Sequence, residues 1–453
     1  MGLTAELAHF VTETEVGQIP LEALEGARDA LIDSIGVAVA GTGDEVSQIA
    51  LKSAGAGVQQ AIVWGTSVRT SCADAAFVNG VSGHALDYDD SLPSLRGHPS
   101  VPLCAAGLAV AEERRVSGRD FLAAFVVALE VAGKLGRALG HGHYRRGWHI
   151  TATVGAFCSA AIAGRLMGLD ARALRHAFGL AAAQSGGLVR NFGSMAKPFQ
   201  AGHAARAGYT AAKLAAGGMT ADPDIFDGPG GLIDVYGDDH STTEMPSLGD
   251  PWEILSPGLY VKRWPCCYAN HRGLAGVFEL ARNYGVTVEN VEEIAVGFLP
   301  DADKALVHFS PTTGLEAKFS IEYCAAAAIL DGRIGPDSFT EEAVRRPTVQ
   351  ALMKKVRRFP MPGEGSFSGV FGYTDVEIRA GGKTHRMRVE RTPGSPEAPM
   401  TPADRLEKFI GCTSPVLGER GARALLDALE GAAQANDIGA LVKLATPAER
   451  GAA

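Results

Sequence analysis

The sequence predicts a mainly α-helical protein with an inserted α+β module. Three observations carry this reading. From the N-terminus to about residue 260 the chain is rich in Ala, Gly, Leu and Val, with apolar residues at helical rather than alternating intervals. Near residue 260 short β-branched and alternating runs take over. After the proline-rich stretch "TPGSPEAPMTPADRLEKF" (Thr392–Phe409) the helical pattern returns. The expected partition is an all-helical domain from residues 1–262 and 400–453, with 263–399 inserted between its two parts.

The elements follow in order. "LEALEGARDALIDSIGVAVAG" (Leu21–Gly41) spaces Leu24, Ala27, Leu31, Ile35 and Val39 for one helix face, with Gly41 at its end. Ser117 and Asp170 stand where N-caps belong, ahead of "GRDFLAAFVVALEVAGKLGRAL" and "ARALRHAFGLAAAQSGG". "AGHAARAGYTAAKLAAGG" (Ala201–Gly218) is a helix of small residues, which let helix axes approach closely, so it belongs at the centre of the bundle. "VEEIAVGFLP" (Val291–Pro300) reads as a strand. "TDVEIRAGGKTHRMRVER" (Thr374–Arg391) alternates on both sides of Gly381-Gly382 and reads as a β-hairpin. Between them "EYCAAAAILDG" and "TEEAVRRPTVQALMKKV" read as helices. Thr401 as N-cap, Pro402 in the first turn and Asp404 restart a helix, and the tail is helical to about residue 446.

Composition excludes several classes. At 453 residues, 46% hydrophobic and 21% charged, the chain has ample material for a core and is not a disordered one. A net charge of -9 offers no basic face for nucleic acid. No run is read as a membrane span and no secretory leader is read at the start, so a cytoplasmic protein is expected. The seven cysteines have no zinc or iron–sulfur spacing and are expected to be reduced.

Five polar islands interrupt this apolar background. "GHALDYDDSLPSLRGHPS" (Gly83–Ser100) strings Asp87, Asp89 and Asp90 between His84 and His98. "HGHYRRGWHITATVGAF" carries His141, His143 and His149. "VRNFGSMAKPFQAGHAAR" carries Lys197 and His203. "YVKRWPCCYANHRG" carries Lys262, Arg263, His271 and Arg272. "EAKFSIEYC" carries Lys318 and Tyr323. A metal loop is one reading of the first island, but it lacks the Gly and Glu of an EF-hand, and no H-E-x-x-H occurs. The bland reading is a solvated bend with local Asx turns. As an ensemble, the cations suit carboxylate recognition and the histidines suit acid and base work near neutral pH. No phosphate-binding glycine loop and no nucleophile elbow is present, so a nucleotide cofactor is disfavoured.

Four of these stretches, "GHALDYDDS…HPS", "GWHITATVGAF", "NFGSMAKPFQAGHAARAG" and "YVKRWPCC…NH", together resemble the MmgE/PrpD family over nearly the whole chain. Its members include 2-methylcitrate dehydratase, cis-aconitate decarboxylase and iminodisuccinate epimerase. The resemblance implies a helical domain with an inserted α+β lid, a homodimer, a small di- or tricarboxylate substrate, and neither metal nor cofactor.

It also implies site residues. Asp87 matches the first Asp of the D-F-D-D-T segment, and Ser91 its Thr. His98, His149, Lys197 and Lys262 match the family's positions in the other motifs. His271 follows in the N-H-R segment, and Tyr323 matches a tyrosine on a later helix. Two departures stand out: Ala196 replaces a Thr, and Phe199-Gln200 stands where decarboxylase-like members have Leu-His.

The expected catalytic set is therefore His98, His149, Asp87, Lys197 and Tyr323. Lys262, Arg263, His271, Ser91 and Arg272 are expected to bind substrate, with Lys197, Lys262 and Arg263 clamping its carboxylates. Asp89 and Asp90 are read as the solvated edge of the loop. The implied activity is a lyase moving a proton at a carbon next to a carboxylate, by dehydration or decarboxylation. Epimerisation of a dicarboxylate such as iminodisuccinate, or an inactive carboxylate-binding protein, remains the alternative.

Overall fold

Leu24, Ala27, Leu31 and Ile35 fall on one helix face, and in the computed structural model they are buried along a single helix, Leu21–Gly41. The structure describes residues 2–55, 58–237, 247–365 and 372–447. The last expected residues of the helical domain, 448–453, lie outside them. The predicted caps form: Ser117 Oγ accepts from the Asp120 N–H at 3.1 Å, and Asp170 Oδ1 accepts from the Ala173 N–H at 2.7 Å. Each satisfies a donor that the first helical turn would otherwise leave open.

The small-residue helix spans Ala196–Ala216 and crosses the helix Cys72–Ala85 in backbone contact. A Cβ on Gly202 would lie 2.4 Å from the Phe77 carbonyl oxygen, and one on Gly80 would lie 2.8 Å from the Gly202 Cα. Any side chain there would push the helices apart. This close crossing brings the start of one helix, with Lys197 and Gln200, to the end of the other, with His84.

Two large hydrophobic cores, with three small clusters beside them, are present among the described residues. The first joins both ends of the chain, from Leu7 through Phe121, Phe157 and Phe178 to Phe409, Leu425 and Ala445. The stretch Ile150–Met167 is apolar enough by length and composition to cross a membrane, which the sequence reading did not anticipate; 89% of it is buried within the protein.

The second core runs from Trp264 to Ala380 and backs a four-stranded sheet. Alongside a short ribbon of β1 (Ala61–Ile62) and β2 (Arg69–Thr70), the chain forms β3 (Val291–Phe298), β4 (Val356–Pro360), β5 (Thr374–Ala380) and β6 (Lys383–Val389), ordered β4-β3-β5-β6. The hairpin turns at Gly381-Gly382, both at positive φ, as its two-residue loop requires. β4, parallel to β3, was not expected. The helix expected over "TEEAVRRPTVQALMKKV" breaks into Glu341–Arg345 and Pro347–Met353, because Pro347 has no N–H to continue the first piece.

The return to the first core begins with a reciprocal cap. Thr401 Oγ1 accepts from the Asp404 N–H, and Asp404 Oδ2 accepts from the Thr401 N–H, each at 3.1 Å. The helix Pro402–Glu430 follows.

Candidate active site

The helix Cys72–Ala85 stops at Leu86, and Asp87 takes a left-handed backbone, φ 51°. Asp tolerates that conformation better than most residues, and it commonly marks a functional position. The turn aims the Asp87 carboxylate into the protein. Its Oδ1 lies 2.5 Å from Lys197 Nζ and 3.1 Å from Lys262 Nζ. Lys262 also donates to the Asp87 carbonyl at 2.8 Å. Burial pushes the carboxyl up, but the two ammonium groups outweigh it and hold Asp87 well below the usual carboxylate range.

His84 continues the network. Lys197 Nζ is 2.8 Å from His84 Nε2, and an ammonium only donates, so Nε2 is the acceptor. Nδ1 then carries the proton and donates to Asp89, 2.8 Å from Oδ2. His98 is fixed in the same tautomer, its Nδ1 donating to the Asp90 carbonyl at 2.6 Å, while its backbone N–H donates to Thr151 Oγ1 at 3.0 Å. His149 Nδ1 is 2.5 Å from Gln200 Oε1. Burial lowers the affinity of all three rings for a further proton, followed by Lys197 at His84 and His149 and by Lys262 at His98. The site thus sets three imidazoles of lowered proton affinity beside the Lys197 and Lys262 side chains.

Asp89 and Asp90 are not a solvated edge. Both are buried, Asp89 accepting from His84 and Asp90 Oδ2 accepting from Ser100 Oγ at 2.5 Å. Burial pushes Asp90 up to about 8, against the opposing Ser100 hydrogen bond.

Five of the expected residues, Asp87, Ser91, His98, His149 and Lys197, line one narrow cleft of about 50 Å³. The second core supplies Cys267 and Phe319 to its walls, and Tyr268, packed with Tyr260, adds a third. Lys197 Nζ sits 5.3 Å from the Phe192 ring centroid and 5.4 Å from that of Phe319, so its charge faces aromatic surface as well as Asp87. Arg96 also lines the cleft, holding the Gly140 carbonyl at 2.6 Å.

The other expected residues lie elsewhere. Lys262 is fully buried behind Asp87 and anchors that carboxylate instead of facing the cleft. Arg263 turns outward to Asp404 at 3.0 Å. His271 lies behind Tyr268, stacked on its ring at 5.0 Å, with Nε2 toward the Cys266 carbonyl. Arg272 is buried beside Tyr268 and Tyr260. Tyr323 is in the second core, its hydroxyl donating to the Ser338 carbonyl. It is spent on structure, and its helix turns it away from the cleft.

Sequence reading gave no role to His84, Gln200, Phe192 or Phe319. His84 stood in the first island as a bare histidine, and only the crossing helix shows that it meets Lys197. Lys318, also buried, donates to the Ala85 carbonyl at 2.9 Å; burial lowers it to about 8. Lys197 and Lys262 both contact Asp87, and two buried cations on one carboxylate suit an anionic ligand.

One metal-like triad exists among the described residues: ligand atoms of His84, Asp89 and His98 lie within 4.8 Å of one another. The Nδ1 atoms on that side of both rings carry protons already donated to oxygen, and Lys197 and Lys262 add positive charge nearby. The arrangement suits a polyanion better than a cation.

Comparison with known proteins identifies the family. The profile of the MmgE/PrpD N-terminal domain matches residues 5–245, and that of the MmgE/PrpD C-terminal domain matches residues 264–431. Cis-aconitate decarboxylase of Mus musculus is 28% identical over 98% of this chain and 93% of its own length. The Homo sapiens enzyme is 28% identical over 98% and 94%. That of Aspergillus terreus is 26% identical over 92% and 87%.

Proposed function

The chain belongs to the MmgE/PrpD family, and from that premise we propose that it is a lyase that decarboxylates a small tricarboxylate of the cis-aconitate type. The observation that carries this reading is the placing of the Lys197 ammonium. Asp87 and His84 hold it, and it faces a cleft shared with the His98 and His149 rings.

The chemistry needs a proton donor at a carbon next to a carboxylate. When the C–C bond to the departing carboxylate breaks, its electron pair forms a new C=C bond. The pair of the old double bond takes a proton at the neighbouring carbon. One proton enters and one CO2 leaves, so the trianion becomes a dianion. Burial lowers the proton affinity of His98 and His149, and Lys197, held by Asp87 and His84 at the cleft, is the donor in this reading in place of either histidine. Lys197 and Arg96 meet substrate carboxylates, while Phe192 and Phe319 give the departing CO2 an apolar wall. Lys262 acts on Asp87 and not on substrate.

In this reading the wall formed by Cys267, Tyr268 and Phe319 opens to admit the substrate and closes again behind it. The same reading carries a homodimer and a cytoplasmic location. The seven free, buried cysteines suit a reducing compartment.

A second reading has its own observation. Among the described residues the buried His149 Nε2 atom has no partner, a ready base for removing an α proton, which favours dehydration or epimerisation. A proton-NMR screen of cis-aconitate, 2-methylcitrate and iminodisuccinate separates the two. Consumption of cis-aconitate with CO2 release supports the decarboxylase. Consumption of either other compound alone supports the second reading, and saturable binding without turnover of any of the three contradicts both.

A further inference from the structure

We propose that Gln200 is a positioning residue that holds His149 in its Nδ1–H tautomer and so presents the Nε2 lone pair to the cleft. The inference rests for its functional meaning on the second reading, in which His149 Nε2 removes an α proton.

The geometry is built from three contacts. Gln200 Oε1 lies 2.5 Å from His149 Nδ1. Gln200 Nε2 donates to the Leu188 carbonyl at 3.3 Å. The His149 backbone N–H donates to the Gly187 carbonyl at 3.0 Å, so the segment that holds the amide also holds the histidine.

The Leu188 carbonyl decides which way the amide points. Turned over, Gln200 would set its own oxygen against that carbonyl oxygen, two acceptors with no proton between them. Oε1 therefore faces His149, and Nδ1 must carry the proton. Gly187, at φ 134°, leaves room for this: a Cβ there would lie 2.7 Å from the Ala152 Cβ and 3.1 Å from the Gln200 Cδ.

Nε2 of the same ring is buried and has no partner among the described residues, while the residue lines the cleft. The charged and titratable groups around the ring are Lys197 on the helix Ala196–Ala216, His84 on the helix Cys72–Ala85, and Asp87 in the loop that follows. No carboxylate takes the Nδ1 proton, since the partner is a neutral amide. A carboxylate in that place would stabilise the imidazolium, whereas the amide orients the ring and leaves it uncharged. Gln200 thus makes His149 a lone-pair acceptor in the resting site, able to take an α proton from a substrate that is dehydrated or epimerised.

The test is nitrogen-15 NMR of the histidine-labelled full-length protein at pH 7.5 without substrate, with the His149 signals assigned by loss in His149→Gln. The expected spectrum has a protonated Nδ1 and an unprotonated Nε2. In Gln200→Leu this preference should disappear and kcat should fall about 10- to 100-fold, the range seen for partners that orient metal-bound histidines, with little change in KM. In Gln200→Glu the acid limb of the kcat profile should move to higher pH by at least about one unit. A resting Nε2–H tautomer, an imidazolium at pH 7.5, or a Gln200→Leu protein with unchanged tautomer and kcat would overturn the proposal. The tautomer is read without substrate, so it stands or falls separately from the identity of the reaction.

Discussion

Lys197 Nζ and Asp87 Oδ1 lie 2.5 Å apart although 110 residues separate them, and Lys262 approaches the same oxygen from behind at 3.1 Å. The Asp87 carboxylate is the shared counter-charge of two buried ammonium groups. In a water-poor setting neither cation is tolerated alone, and the ion cluster also fixes where the Lys197 proton points.

Asp87→Asn removes the charge both lysines share. Breaking a buried ion pair from one side costs about 3–5 kcal/mol, so the thermal midpoint measured by calorimetry should fall sharply, and activity with it. Lys197→Met leaves Asp87 paired with Lys262. It should cost less stability but about 10²- to 10⁴-fold in kcat, the range for losing a general acid. An Asp87→Asn protein as stable as the wild type would contradict the shared-charge account.

Asp90 offers a stability test with a definite sign. Its folded-state pKa, about 8, is raised above the unfolded value near 3.9, so the neutral buried form contributes stability below about pH 4 that is lost as pH rises toward 8. Asn cannot ionise and can still accept from Ser100. The thermal midpoint of Asp90→Asn minus that of the wild type should become more positive between pH 5 and pH 8.5. A difference constant with pH would mean that Asp90 is ionised in the folded protein.

Tyr323→Phe separates a structural hydroxyl from a catalytic one. Loss of the bond to the Ser338 carbonyl should cost about 1–3 kcal/mol in urea unfolding while kcat stays at the wild-type value. A large fall in kcat with unchanged stability would return Tyr323 to the catalytic set.

Dialysis against a chelator should leave activity intact, because the His84, Asp89 and His98 atoms nearest one another are engaged in hydrogen bonds beside two lysines. Loss of activity restored by a single divalent ion would revive the triad as a metal site.

The sequence makes the helices and the hairpin legible because their signals are local. Ser117, Asp170 and Thr401 cap within three residues, and Gly381-Gly382 turns within two. β4 is not legible, since Arg357-Arg358 interrupts its apolar pattern and its pairing with β3 is long-range. Lys197, Asp87, His98 and His149 are legible by resemblance to a known family. What each touches is not, because that depends on the crossing of two helices at Gly80 and Gly202. Asp89 and Asp90 look solvated in sequence because carboxylates usually are; here His84 and Ser100 supply the donors that let them be buried. Lys262 and Arg263 are adjacent and equally cationic, yet one is buried behind Asp87 and the other faces Asp404 at the surface.

The most direct measurement is turnover of cis-aconitate in deuterated buffer, following CO2 release and the product by NMR. One deuterium should appear beside a carboxylate for every CO2 released, and Lys197→Met should slow both together. If cis-aconitate is not consumed, or Lys197→Met releases CO2 at the wild-type rate, the assignment of Lys197 as proton donor to a decarboxylating tricarboxylate is wrong.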